Sequence, residues 1–260
     1  MERVKASTEV IHRPIYWQGF IMNALYMDDS YIREFEAKVV SATKGGEDKF
    51  FVVLDKTAFY PDSGGQPHDT GKLVKDGVEY PVVYVGKFSG KISHEVSKEG
   101  LREGDVVKGV IDWNRRYMLM RMHTAAHIIS EVFHRETGAL ITGNQLGLDH
   151  SRIDFSLEKF DREKMKEYFA KANEIVSRDL EVRTYFLPRE EAMKIENVTK
   201  LANALPPNVK ELRIVEIGDF DIQADGGTHV KTTKEIGRIE FLKAENKGKN
   251  NRRVYYTLSS

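Results

Sequence analysis

No cysteine occurs in the 260 residues of this chain, so disulfides are excluded and nothing in it calls for an oxidising compartment. Neither sign of charge is in excess: 40 Lys and Arg balance 40 Asp and Glu. That balance excludes a global field drawing the protein onto a polyanion and leaves any nucleic-acid contact to local patches. No apolar run approaches the length of a membrane span, and the first residues lack the apolar core of a signal peptide. A cytoplasmic protein with no membrane partner is the expectation. The length accommodates one large domain or two smaller ones, and two are expected.

Against these absences stand two short histidine-bearing segments, R-M-H-T-A-A-H from Arg121 to His127 and A-D-G-G-T-H-V from Ala224 to Val230. His123 and His127 are four residues apart in a run with helical periodicity, so both imidazoles leave one helix face a turn apart. Asp225 stands four residues before His229, and the intervening Gly226-Gly227 lets the backbone turn so that both side chains converge. Three imidazoles and a carboxylate form a set that zinc accepts. A histidine pair at this spacing also occurs as a partly buried surface pair, and the second pair is what favours metal. The segment is not H-E-x-x-H: Thr124 stands where a zinc protease carries its general-base glutamate, so peptidase chemistry is not expected.

The rest of the pattern reads as α+β. Residues 1–25 show no clean period, His12-Arg13-Pro14 interrupts them, and they are taken as an extension. Strands are expected at Phe35 to Ser41, Lys49 to Leu54, Val78 to Val85, Ile92 to Val96 and Val106 to Ile111, a spacing that implies a small antiparallel β-barrel over residues 26–112. Asp112 then caps a long helix from Trp113 to about Thr137, which Gly138 ends, with Met118, Met122, Ala126, Ile129 and Phe133 as its core stripe. Residues 113–260 are expected to form an α/β domain with an antiparallel sheet and this metal-bearing helix. Its further elements are a strand at Ser151 to Ser156, a helix from Asp161 to Arg178, a strand at Glu181 to Leu187, and a helix from Arg189 to Glu196. After Pro206-Pro207 come a strand at Leu212 to Ile217, the segment Asp221 to Ala224, and a hairpin of Ile236 to Lys243 with Arg253 to Leu258.

Three other features carry candidate chemistry. The loop D-K-T-A-F-Y-P-D-S-G-G-Q-P-H-D-T-G, Asp55 to Gly71, is either a plain hairpin connection or a place where bare Gly64-Gly65 backbone admits a ligand beside the Gln66 amide. Arg115, Arg116 and Arg121 on the long helix either meet phosphates or lie on a solvated face. From Lys243 to Arg253 five basic residues face one acidic residue, Glu245, which makes Lys247, Lys249, Arg252 and Arg253 the best placed for phosphate contact.

The glycine-glutamine loop, the helix I-D-W-N-R-R-Y-M-L-M-R-M-H-T-A-A-H and the segment A-D-G-G-T-H-V-K-T-T-K-E-I-G follow one another in an order that resembles the free-standing alanyl-tRNA editing family AlaX, in its medium-length form. They also resemble the editing domain of alanyl-tRNA synthetase, and the likeness runs from about Tyr26 to Leu258. The resemblance implies a translation-fidelity enzyme with no ATP requirement that hydrolyses, in trans, the ester of alanine tRNA mischarged with serine, and in some members glycine. It implies one zinc on His123, His127, His229 and position 225, where the family pattern has cysteine and this chain has Asp225. Aspartate keeps the negative charge but offers a hard oxygen in place of a soft thiolate. The resemblance further implies that Thr57 reads the serine hydroxyl, with Gln66 and Gln145 as alternatives. With tRNA as the partner, the bare glycine backbone and the basic patches make Gly64, Gly65, Arg115, Arg116 and the terminal basic loop the candidate tRNA contacts, and no DNA partner is expected. Two other readings remain: a protein of the same fold that binds aminoacyl-tRNA or zinc with impaired catalysis owing to Asp225, and a zinc hydrolase of small esters or amides.

Overall fold

A computed structural model describes residues 15–17, 20–46, 48–159, 161–196, 198–199 and 209–259. The expected breaks at His12-Arg13-Pro14 and Pro206-Pro207 lie outside the described residues. The described part of the N-terminal extension is not without regular structure: β1 (Ile15–Trp17) and β2 (Phe20–Ala24) pair antiparallel. Then come β3 (Glu34–Lys44), β4 (Phe50–Leu54), β5 (Lys56–Thr57), β6 (Gly71–Lys75), β7 (Val78–Phe88), β8 (Lys91–Val96) and β9 (Val106–Ile111). β2 runs parallel to β5, and the other six close into a barrel in the order β3-β4-β8-β7-β6-β9, with every pairing antiparallel.

The barrel forms because its strands alternate. In β3, Phe35, Ala37 and Val39 are buried while Glu34, Glu36 and Lys38 are exposed, so one face supplies core and the other meets water. Phe59, Leu73 and Val85 are fully buried in the same cluster, each contributing about 1.5–3 kcal/mol of apolar transfer.

The long helix α1 (Trp113–Thr137) begins and ends where the sequence places it. The Asp112 side chain accepts from Arg115 N, and Gly138 takes the left-handed conformation with φ 70°. Its apolar stripe is wider than expected, because residues 122 to 133 are buried without exception and the helix is enclosed on all sides. Next come β10 (Ile141–Gln145), β11 (Ser151–Phe155), α2 (Arg162–Ser177), β12 (Val182–Pro188), α3 (Arg189–Ala192), β13 (Glu211–Ile217), β14 (Asp221–Ala224), β15 (Arg238–Asn246) and β16 (Arg252–Ser259). The helix expected to Glu196 is only the four residues of α3. One antiparallel sheet has the order β10-β11-β16-β15 and a second the order β12-β13-β14. α1, α2 and the inner faces of the sheets share one hydrophobic core that includes Phe133, Phe155, Phe169 and Tyr256. Among the described residues no helix is long and apolar enough to cross a membrane.

Candidate metal centre

Two segments bring four side chains to one point. α1 supplies His123 and His127, and the segment leaving β14 supplies Asp225 and His229, with ligand-type atoms all within 4.8 Å of one another. The glycine pair between the last two works by space rather than by an unusual backbone angle. Neither Gly226 nor Gly227 has a positive φ. A Cβ on Gly227 would lie 2.2 Å from His123 Cε1, whereas one on Gly226 would meet nothing within 4 Å. Gly227 is therefore the residue that lets the segment press against the first histidine.

Each imidazole is held from behind. His123 Nδ1 is 2.9 Å from Gln66 Oε1, His127 Nδ1 is 3.1 Å from Asp221 Oδ2, and His229 Nδ1 is 3.2 Å from Thr124 Oγ1. The Thr124 hydroxyl gives its proton to Met120 O at 3.0 Å, so it accepts from His229. The glutamine oxygen and the carboxylate are acceptors as well. All three rings thus commit Nδ1–H to these acceptors and turn Nε2 inward, the nitrogen that can bind a metal once any proton on it has left. His123 Nε2, His229 Nε2 and His127 Nε2 lie 3.5, 3.2 and 3.9 Å from the Asp225 carboxylate oxygens. The edge of a tetrahedron with bonds of about 2.0 Å is about 3.3 Å, so the donor set fits zinc in kind and lies slightly wider than a closed zinc site.

Electrostatics agree with a place built for a cation. Burial works to lower the His127 pKa, but the Asp221 and Asp225 carboxylates outweigh it and hold it at about 9. Burial and the charge of His123 push His229 well below the usual imidazole range. Burial raises the Asp225 pKa, and the His123 charge with hydrogen bonds from three histidines overcomes it, leaving the carboxyl well below the ordinary value. The imidazole side chains are 5%, 7% and 1% exposed and that of Asp225 is 26% exposed, so the cluster opens to solvent over the aspartate.

The glycine-glutamine loop reaches this cluster. Ser63 and Gln66 exchange backbone hydrogen bonds across Gly64 (φ 60°) and Gly65 (φ 84°), a two-residue turn whose left-handed angles call for glycine. The turn delivers Gln66, whose Nε2 donates to Thr228 Oγ1 at 2.9 Å and whose oxygen also accepts from Thr228 N. Gly64 is exposed, while the Gly65 carbonyl accepts from Leu146 N at 2.8 Å and a Cβ there would strike Asn144.

Residues 212–255 match the family described as threonyl and alanyl tRNA synthetase second additional domain, and residues 17–115 match tRNA synthetases class II (A). An alanyl-tRNA editing protein AlaX-M of Methanosarcina barkeri is 55% identical over 242 residues, covering 90% of this chain and 98% of that one. The AlaX-M protein of Saccharolobus solfataricus is 48% identical with the same coverage. The alanine–tRNA ligase of Pyrococcus furiosus is 39% identical over 85% of this chain and 24% of its own. The chain belongs to the AlaX-M family of alanyl-tRNA editing proteins.

Several residues expected at the AlaX-M site have other duties. Thr57 is 1% exposed and donates its proton to His94 Nε2 at 2.9 Å, since His94 Nδ1 is spent on Val52 O; it is a barrel-wall residue with no proton left for a substrate. Gln145 is exposed and its oxygen accepts from the Arg152 guanidinium. Arg116 cannot reach a phosphate: it is 0% exposed, paired with Asp69 and bonded to Ser30 O and Ala58 O. Arg252 is buried against Asn246, Gly248 and Asn251, and Arg253 makes two bonds to Asp154 at 2.7 and 2.8 Å. Arg115 Nε donates to His68 O, Lys247 pairs with Glu245 at 2.9 Å, and Lys249 is exposed.

Other residues escaped the sequence reading. Arg213, on an otherwise apolar stretch of β13, donates to Asp225 O at 3.1 Å, Gly227 O at 2.9 Å and Met27 O at 2.8 Å, and so clamps the ligand-bearing turn. Asp221 and Gln223 lie buried on the same strand face that ends at Asp225. The signal was a polar residue at every second position, D-I-Q-A-D, on a strand flanked by core.

Proposed function

We propose that this enzyme edits by hydrolysing, in trans, the ester that joins serine, or glycine, to alanine tRNA, at a zinc site formed by His123, His127, Asp225 and His229. Alanyl-tRNA editing follows from the family, which is one of deacylating hydrolases. The observation that carries the finer reading is the inward turn of three Nε2 atoms around one carboxylate, each ring fixed from behind. Zinc held there supplies a fixed positive charge that anchors the aminoacyl end and favours the developing oxyanion.

The chain's own residues supply orientation. Gln66, Asp221 and Thr124 hold the rings, and Arg213 holds the backbone of Asp225 and Gly227. Asp225 is the member that solvent reaches, so the aminoacyl end approaches over it. An ester is an activated acyl group, and a positioned water with charge stabilisation suffices to cleave it without a serine or cysteine nucleophile. Selectivity against alanine requires a site group that pairs with the serine hydroxyl and is left unpaired without it. Thr57 and Gln66 donate to His94 and Thr228, whereas the exposed Gln145 uses its amide oxygen on Arg152 and offers its NH2 group for that role. For the tRNA body the free candidates are the exposed Gly64 backbone, Lys249 and, once released from Glu245, Lys247.

Serine-charged alanine tRNA incubated with zinc-loaded protein should release free serine, and His123→Ala should abolish both zinc content and release. Tight binding of the charged tRNA with no serine released would replace this reading with that of a binding protein disabled at Asp225. Release that persists in zinc-free His123→Ala would remove the metal from the reaction.

A further inference from the structure

The three rings are not held alike. His123 and His229 rest on neutral oxygens, those of Gln66 and Thr124, whereas His127 rests on a carboxylate. The Asp221 side chain is 0% exposed, and its Oδ2 both faces His127 Nδ1 at 3.1 Å and accepts from Gln223 Nε2 at 2.8 Å. Gln223 is itself buried. β14 puts Asp221, Gln223 and Asp225 on one face at a period of two, and α1 puts His123 and His127 on one face at a period of four. The strand thus carries, in register, a cluster member and the support of a helix-borne one.

We infer that Asp221, steadied by Gln223, is the positioning residue that sets the metal affinity of the cluster through His127. The reasoning is one of charge and geometry. A buried carboxylate is expensive unless its partners repay it, and here they include a ring N–H and an amide that fix its direction. A carboxylate behind an imidazole locks the ring's rotation and tautomer and makes its other nitrogen a stronger donor. With Asp225 it brings to the cluster two negative charges, the number that neutralises a divalent cation. The Asp225 carboxylate is a hard ligand that donates less charge than a thiolate would, and Asp221 adds donation to the cluster through the His127 ring.

The inference rests on the reading of the cluster as a zinc site, and the test separates the two. Zinc affinity is measured by chelator competition for the full chain, and the visible spectrum of the cobalt-substituted protein reports ligand geometry. Asp221→Asn keeps the shape and an acceptor but removes the charge, and is expected to weaken zinc about 10-fold; Asp221→Ala removes both and is expected to cost about 100-fold. Each should shift the cobalt bands, which a remote packing defect would leave in place. Should Asp221→Ala fail to fold, Gln223→Leu leaves the carboxylate but frees it, and is expected to cost a few-fold. Glu131→Gln, one turn past His127 on the same helix and also buried, is the control and should hold zinc as the wild type does. Asp221 variants within about twofold of wild type, or a Glu131→Gln loss as large as theirs, would overturn the inference while leaving the zinc site standing. A wild-type chain that takes up no zinc would overturn both.

Discussion

The loop carrying Gly64 and Gly65 makes two buried joints with α1. Asp69 meets Arg116 in the first helical turn, and three residues earlier in the loop Gln66 meets His123, two turns further along. Both joints are buried and both are hydrogen-bonded, yet they do different things. In the first, each Arg116 nitrogen finds an acceptor within the joint: Nε lies 3.0 Å from both Asp69 oxygens, the other nitrogens reach Ser30 O and Ala58 O, and Asp69 takes Tyr60 N besides. In the second, Gln66 satisfies one side of the His123 ring and leaves the other facing the cluster. A buried polar group with all its capacity spent holds a structure together. One with capacity left over, aimed at a shared point, can bind something.

The largest effect that separates the joints is expected at the closed one. Arg116→Ala strands Asp69 as a buried charge and should lower the unfolding free energy by about 3–5 kcal/mol, read from the urea midpoint. The paired change Arg116→Met with Asp69→Leu should recover most of that, because replacing both partners by apolar groups removes the stranded charge. If the double variant is as unstable as the single one, the joint acts through shape and not through charge.

A second buried polar residue of the barrel sharpens the contrast with the cluster histidines. His94 is fully buried with Nδ1–H on Val52 O and Nε2 accepting from Thr57, so its neutral form is saturated, and burial pushes its pKa down to about 4. The unfolded chain protonates this ring near its ordinary value of about 6.5. A depressed histidine therefore contributes stability that is complete above pH 6.5 and is lost as pH falls toward 4, by about 2 kcal/mol between pH 7 and pH 5. Denaturant unfolding at the two pH values should show that extra loss in the wild type and not in His94→Gln. An equal loss in both would place the acid sensitivity in other groups.

Much of this was legible beforehand, and for physical reasons. The Asp112 cap, the Gly138 stop and the alternation in β3 are local, so the residues themselves report them. The four cluster residues were legible because a period of four on a helix and across a glycine turn is a geometric statement. β6 was missed although Asp76-Gly77, both at positive φ, marks the hairpin that joins it to β7. What sequence could not give was the far partner of each charge. Arg116 and Arg253 read as basic surface until Asp69, 47 residues away, and Asp154, 99 residues away, are seen to hold them. The same distance hid Asp221, whose partner His127 is 94 residues off, and the commitment of Thr57 to His94.

The smallest expected change in stability comes with a large change in function, at the open joint. Gln66→Leu keeps the bulk but leaves His123 Nδ1–H and the Thr228 N–H without their acceptor and Thr228 Oγ1 without its donor. Three lost hydrogen bonds in a buried place cost about 1–3 kcal/mol in all here, less than a stranded charge, because much of the loss is relieved when a ring rotates or water enters. That rotation is what should matter. A His123 ring free to turn no longer aims Nε2 at the cluster, and zinc affinity should fall about 10-fold. Arg116→Ala should show the reverse, a large shift in the urea midpoint with zinc held as tightly as before by the protein that remains folded. Urea titration and chelator competition on both variants set the two joints side by side. If Gln66→Leu loses as much stability as Arg116→Ala and still holds zinc like the wild type, the two joints are of one kind and the distinction drawn between them fails.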